Sequence, residues 1–108
     1  MSSNSDYQLT HRKMVGSAII SNAVALLRRY HERGIDIGAC WENRIKFEQS
    51  MVFAAYLGHV DIMRLLRELG VADVHVTDVE GTLTPLHAAT CRGEVEAICA
   101  LGELGADV

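Results

Sequence analysis

Two stretches of this chain are punctuated in the same way. Gln49 to Gly58 spans nine residues and Gly58 to Gly70 twelve, and Thr84 to Gly93 is again nine and Gly93 to Gly105 again twelve. Laid over each other at that offset of 35 residues, Ala54-Ala55 falls on Ala89-Thr90, Asp61 on Glu96 and Leu66 on Leu101. A fainter copy precedes them. Asn22 to Gly34 is also twelve, and Gly34-Ile35-Asp36-Ile37 echoes Gly105-Ala106-Asp107-Val108. Self-similarity at this period means a stacked-repeat architecture, in which each unit buries its apolar face only against its neighbours.

Each unit reads as two short helices. Thr84 is placed to cap a helix through its hydroxyl, and Pro85 follows at the first helical position, where a missing N–H costs nothing. Leu86, Ala88 and Ala89 make a slim apolar helix that Gly93 breaks. Glu94 and Glu96 open the next helix at its positive dipole end. Val95, Ile98, Leu101 and Leu104 recur every three residues and predict one buried face. Gly105 ends that helix as a left-handed residue. Further pairs are expected at 10–20 with 23–33 and at 50–57 with 60–69. Ala18, Ile19, Val24, Leu26 and Leu27 supply apolar positions in the first. The middle core is expected from Met51, Phe53, Ala54, Val60, Met63, Leu66 and Leu69.

Thr84-Pro85-Leu86-His87, Gly58-His59-Val60-Asp61 and Gly105-Ala106-Asp107-Val108 carry a resemblance to ankyrin-repeat proteins. It is strong over 49–108, weak over 13–48 and absent before Lys13. The resemblance implies an all-α solenoid of stacked helix-turn-helix pairs joined by β-hairpin-like fingers. The expected layout is a disordered tail over 1–9 and a repeat domain over 10–108, with repeats at about 10–37, 45–74 and 78–108. Two features depart from the family. Gln49-Ser50-Met51-Val52 stands where it has Thr-Pro-Leu-His. The connections, fifteen residues from Gly34 to Gln49 and fourteen from Gly70 to Thr84, are longer than its usual fingers.

With 108 residues the chain is one small domain. It has no run of about 18 apolar residues that would span a membrane, and Met1-Ser2-Ser3-Asn4-Ser5-Asp6 lacks the apolar core of a signal peptide. Three cysteines without a CxxC pair fit reduced intracellular thiols. The expected location is therefore intracellular, in the cytoplasm or nucleus. The net charge of −4 is uneven: residues 1–33 carry +3, 34–72 carry −1 and 73–108 carry −6. Clustered Lys and Arg of the kind that neutralise phosphates are lacking, which argues against nucleic acid. The acidic end reads as a solvated outer face, with a basic partner as the alternative.

The resemblance implies a protein–protein interaction module that contacts a partner through its fingers and the concave ends of its first helices. The candidate contacts are Trp41, Arg44, Lys46 and Phe47 in the first connection, Tyr56 and Leu57 at the end of the middle pair's first helix, Val79 and Glu80 in the second connection, and Arg92. Trp, Tyr and Arg dominate binding hot spots. The alternative for Trp41 and Phe47 is that they fold back over the thin core, and for Tyr56 and Leu57 that the preceding finger covers them.

No catalytic or cofactor chemistry emerges. His11, His31, His59, His75 and His87 share no ligand spacing, and the resemblance assigns His59 and His87 to hydrogen bonds between loops. Asp73, Asp78 and Glu80 do not make a calcium loop. Cys40, Cys91 and Cys99 have no base beside them in sequence, and no phosphate loop is present. An enzyme is not expected, nor a cofactor or metal. The charged end of the first pair, Arg28, Arg29, His31, Glu32 and Arg33, reads as a polar N-terminal cap. At the other end Val95, Ile98, Leu101 and Leu104 are left for a following neighbour to cover. Two alternatives to the binding module follow: a regulatory or targeting N-terminal portion of a larger multidomain protein, an enzyme included, or a small protein that self-associates through the open C-terminal face.

Overall fold

The computed structural model describes residues 3–41, 48–72, 75–77 and 83–105. These form six helices: α1 (Ser3–Ile20), α2 (Val24–Glu32), α3 (Ser50–Leu57), α4 (Val60–Glu68), α5 (Pro85–Arg92) and α6 (Val95–Glu103). They pair as α1–α2, α3–α4 and α5–α6. The first helices pack in the order α1, α3, α5 and the second helices in the order α2, α4, α6. No named strand lies among the described residues. One antiparallel bridge, Ala39 to Gln49, closes the first connection at its base.

The register is strict. Asn22, Gly58 and Gly93 all take left-handed backbone, with φ of 54°, 77° and 67°. After each comes one cap residue and then a nine-residue helix that begins with valine and ends with glutamate: Val24–Glu32, Val60–Glu68 and Val95–Glu103. A left-handed residue reverses the chain between the two helices without a longer loop, and asparagine is the residue that tolerates this conformation best after glycine. Asn22 is thus the first pair's counterpart of the two glycines. Thr84 caps α5 as expected. Its Oγ1 accepts from the His87 N–H at 3.2 Å, and His87 Nδ1 accepts from the Thr84 N–H at 3.3 Å. The bond of His87 is therefore a reciprocal cap on its own helix rather than a tie between loops.

The core centres on α3. Met51, Val52, Phe53, Ala54 and Ala55 are buried in succession, as they must be for a helix with neighbours on several sides. Ile62, Met63, Leu65 and Leu66 of α4 and Ala97, Ala100 and Leu101 of α6 complete it, while Val60 and Leu69 are half-buried. Along the outer edge, Arg28 of α2 pairs with Glu68 of α4 at 3.0 Å and Arg64 of α4 with Glu103 of α6 at 3.4 Å. These rungs are exposed, and each contributes at most about 1 kcal/mol.

Three expectations are corrected. The first helix begins at Ser3 rather than residue 10, so residues 3–9 are helical and not a disordered tail. Leu101 is fully buried and does not belong to an open face; Val95 is exposed, and Ile98 and Leu104 are half-buried. The α1–α2 end is not a uniformly polar cap, because Leu9, Ile20 and Leu26 are exposed there. Arg28 is polar as expected, but it pairs with Glu68 on a different face of α2 from Leu26.

Candidate functional site

Trp41 is held against α1. Its N–H donates to the Arg12 carbonyl at 3.0 Å, and the Lys13 ammonium lies 4.9 Å from the centre of its ring. Gly16 lets the two backbones approach: a Cβ there would sit well inside contact distance of the Trp41 carbonyl oxygen and 3.2 Å from its carbon. Two bonds fasten the base of the same connection, Cys40 N–H to the Glu48 carbonyl at 2.9 Å and Ser50 N–H to the Gly38 carbonyl at 3.0 Å. Trp41 therefore packs back on the first pair, with part of its surface still in solvent. Arg44, Lys46 and Phe47 lie outside the described residues, as do Val79, Glu80, Asp73 and Asp78.

Tyr56 and Arg92 are brought together. The Arg92 guanidinium lies 4.9 Å from the centre of the Tyr56 ring, and its Nη2 is 3.7 Å from Glu94 Oε2. Glu94 in turn lies against Gly58, where a Cβ would be 2.5 Å from Glu94 Oε1. Four side or main chains from two repeats thus meet where the helices turn. The cation over the ring face is worth about 0.5–1 kcal/mol at an exposed site. Tyr56 is half-buried and Arg92 exposed, so each keeps surface for a partner. Leu57 packs against the core. Glu94 reads from sequence as a helix opener and not as a contact residue. Its signal was its place, one residue after the left-handed glycine, where α4 has His59.

Cys40 is fully buried, and burial pushes its thiol from 9.0 up to about 12. Ser50 Oγ, itself buried without a full hydrogen bond among the described residues, lowers it a little, as does Arg12; Glu48 raises it. The unfolded chain releases this proton near pH 9 while the folded protein keeps it. The group's contribution is therefore undiminished below about pH 9 and is lost as pH rises towards about 12. Cys91 and Cys99 are exposed. A disulfide reagent at pH 8 is expected to titrate those two thiols rapidly and Cys40 only on unfolding; three fast thiols would contradict the burial. Among the described residues no group of three or more His, Cys, Asp and Glu side chains could hold a metal ion, and no helix is long and apolar enough to cross a membrane.

Residues 51–101 match the family model described as ankyrin repeats (many copies). Over 94 residues the chain is 31% identical to alpha-latrocrustotoxin-Lt1a of Latrodectus tredecimguttatus. That alignment covers 87% of this chain, and the chain spans about 6% of the relative's length.

Proposed function

Because residues 51–101 belong to the ankyrin-repeat family, whose members bind proteins, we propose that this chain is a protein-interaction module and not a catalyst. On this reading the stacked pairs form a solenoid; the hairpin-like fingers expected in the two connections fall largely on 42–47, 73–74 and 78–82, outside the described residues. The observation that carries the reading is the Tyr56–Arg92–Glu94 cluster. It joins an aromatic ring and a guanidinium, two groups favoured at hot spots, at the adjoining ends of two repeats. The cluster is held by its own contacts before any partner arrives, so less side-chain entropy is lost on binding. Trp41, on the first connection, adds a second anchor. The charge distribution speaks for a protein rather than nucleic acid, and the three free thiols support an intracellular location.

The test compares affinity capture by the wild type, Tyr56→Ala and Arg92→Ala. Both sites retain solvent exposure, so both variants are expected to fold. Each is expected to lose the same members of the recovered set, with affinity for a purified partner falling at least about fivefold, the equivalent of 1 kcal/mol. Identical recovery by all three proteins would remove the cluster from the binding surface.

A further inference from the structure

The common register lets the three helix pairs be compared position by position. Ser50, Phe53, Ile62 and Leu66 of the middle pair are buried, and so are their counterparts Pro85, Ala88, Ala97 and Leu101 in the third. The counterparts in the first pair, Met14, Ser17, Leu26 and Tyr30, are exposed or half-buried and line an open groove of about 390 Å³. In the second and third pairs a preceding helix pair covers these positions. The groove is the vacant seat of such a pair.

The opposite end is its counterpart. Val15, Ile19 and Leu27 of the first pair and Met51, Ala55 and Met63 of the second are fully buried. Their equivalents in the third, Leu86, Thr90 and Ile98, remain half-buried or exposed. The α5–α6 surface is thus the kind that fills a seat of this shape. The charges are complementary as well: residues 1–33 carry +3, with Lys13 in the groove and Arg28 and Arg29 exposed nearby on α2, whereas residues 73–108 carry −6, with Glu96 and Glu103 exposed on α6.

We propose that copies of this chain stack head to tail, with α5–α6 of one copy seated in the α1–α2 groove of the next. Such an interface joins two different surfaces and leaves one of each free, so it extends with concentration instead of closing at a dimer. The salt-bridge ladder specifies the register. An arginine at the fifth residue of a second helix reaches the glutamate at the ninth residue of the next, as Arg28 reaches Glu68 and Arg64 reaches Glu103. At the junction Cys99 occupies the arginine position, and Glu32 of the second copy the glutamate position. The junction therefore lacks its rung, which makes it weaker than the two stacks within the chain. This inference rests on register and charge and is independent of the Tyr56–Arg92 reading.

Sedimentation velocity under reducing conditions, from micromolar to submillimolar protein, tests it. The wild type is expected to sediment faster as concentration rises, less so at high salt. Leu26→Glu blocks the groove and Ile98→Glu blocks the opposite end; each alone is expected to be monomeric, with circular dichroism checking that it is folded. Mixed together they retain one intact surface of each kind and are expected to form a 1:1 dimer. Cys99→Arg, at an exposed site, supplies the rung to Glu32 and is expected to tighten association roughly two- to fivefold, an effect that Glu32→Gln removes. A wild type that stays monomeric throughout assigns the groove to another occupant and overturns the proposal. So does a mixture that remains monomeric while the wild type associates, or an association that Cys99→Arg leaves unchanged.

Discussion

Phe53→Ala is expected to lower the unfolding free energy by about 3–5 kcal/mol. Phe53 is the largest of the fully buried side chains and lies in α3, the helix that packs against α1, α4 and α5. Its removal leaves a void where the middle pair meets the first, and close-packed surroundings relax into such a void only in part. A small domain has about 5–15 kcal/mol in total, so the change consumes a large share. The consequence exceeds the transfer energy because stacked repeats hold together through nearest-neighbour interfaces. Weakening the middle unit uncouples the outer two. Urea unfolding followed by circular dichroism reads both effects, as a lower midpoint and a broader or divided transition. Val95→Ala, at a side chain that is 68% exposed, is the matched control and is expected to change stability by less than about 0.5 kcal/mol. A loss below about 1 kcal/mol for Phe53→Ala would mean that α3 is not the keystone of the stack.

The repeat was readable from sequence because its punctuation acts locally. A proline at the first helical position, a glycine after the last and a threonine cap each work within a single turn, so both boundaries of α5 and the end of α3 at Gly58 follow from neighbours in the chain. The start of α1 does not follow in this way. Ser3, Asn4, Ser5 and Asp6 are residues that favour caps and turns, and they suggested a tail. Helix formation is cooperative, and adding residues to a helix already nucleated by Val15, Ala18 and Ile19 against the core costs little per residue. The exposed groove was hidden for a different reason. The charged end of α2 reads as polar in composition, but composition averages over all faces of a helix. Arg28 lies on the outer edge while Leu26 lies on the front, where the equivalent Ile62 and Ala97 are covered.

The candidate site was visible as residue types but not as a cluster. Tyr56 and Arg92 were each singled out, yet their contact spans two repeats and is invisible in any local window. The repeat offset held the missing information. Tyr56 lies two residues before Gly58 and Arg92 one residue before Gly93, so adjacent stacked turns must bring them close. Arginine recurs at the fifth residue of α2 and α4, Arg28 and Arg64, and glutamate at the ninth of α4 and α6, Glu68 and Glu103, from which the ladder is readable. Trp41 was weighed as an anchor or a lid. Its backbone bond to Arg12 shows that packing fixes its place, with binding left to its exposed part.

Gly16→Ala is expected to destabilise the protein by about 1–3 kcal/mol, against the direction that helix propensity alone predicts. Glycine inside a helix ordinarily costs about 1 kcal/mol relative to alanine, so the substitution would be stabilising on an open helix. Gly16 is buried, and the new methyl group would collide with the main chain of Trp41, not with a side chain that can rotate away. That main chain cannot retreat freely either, because the Trp41 N–H is bonded to the Arg12 carbonyl one turn earlier on the same helix. Relief requires lifting the connection off α1, which separates the Trp41 ring from the Lys13 ammonium. Tryptophan emission should therefore shift to longer wavelength in the folded variant, with helix content unchanged. Gly102→Ala, on the exposed side of α6, makes the same chemical change without this collision and is expected to stabilise by up to about 1 kcal/mol. The opposite signs distinguish main-chain packing from propensity. If both substitutions stabilise and the emission of the Gly16 variant is unmoved, the first connection does not lie against α1 as the geometry requires.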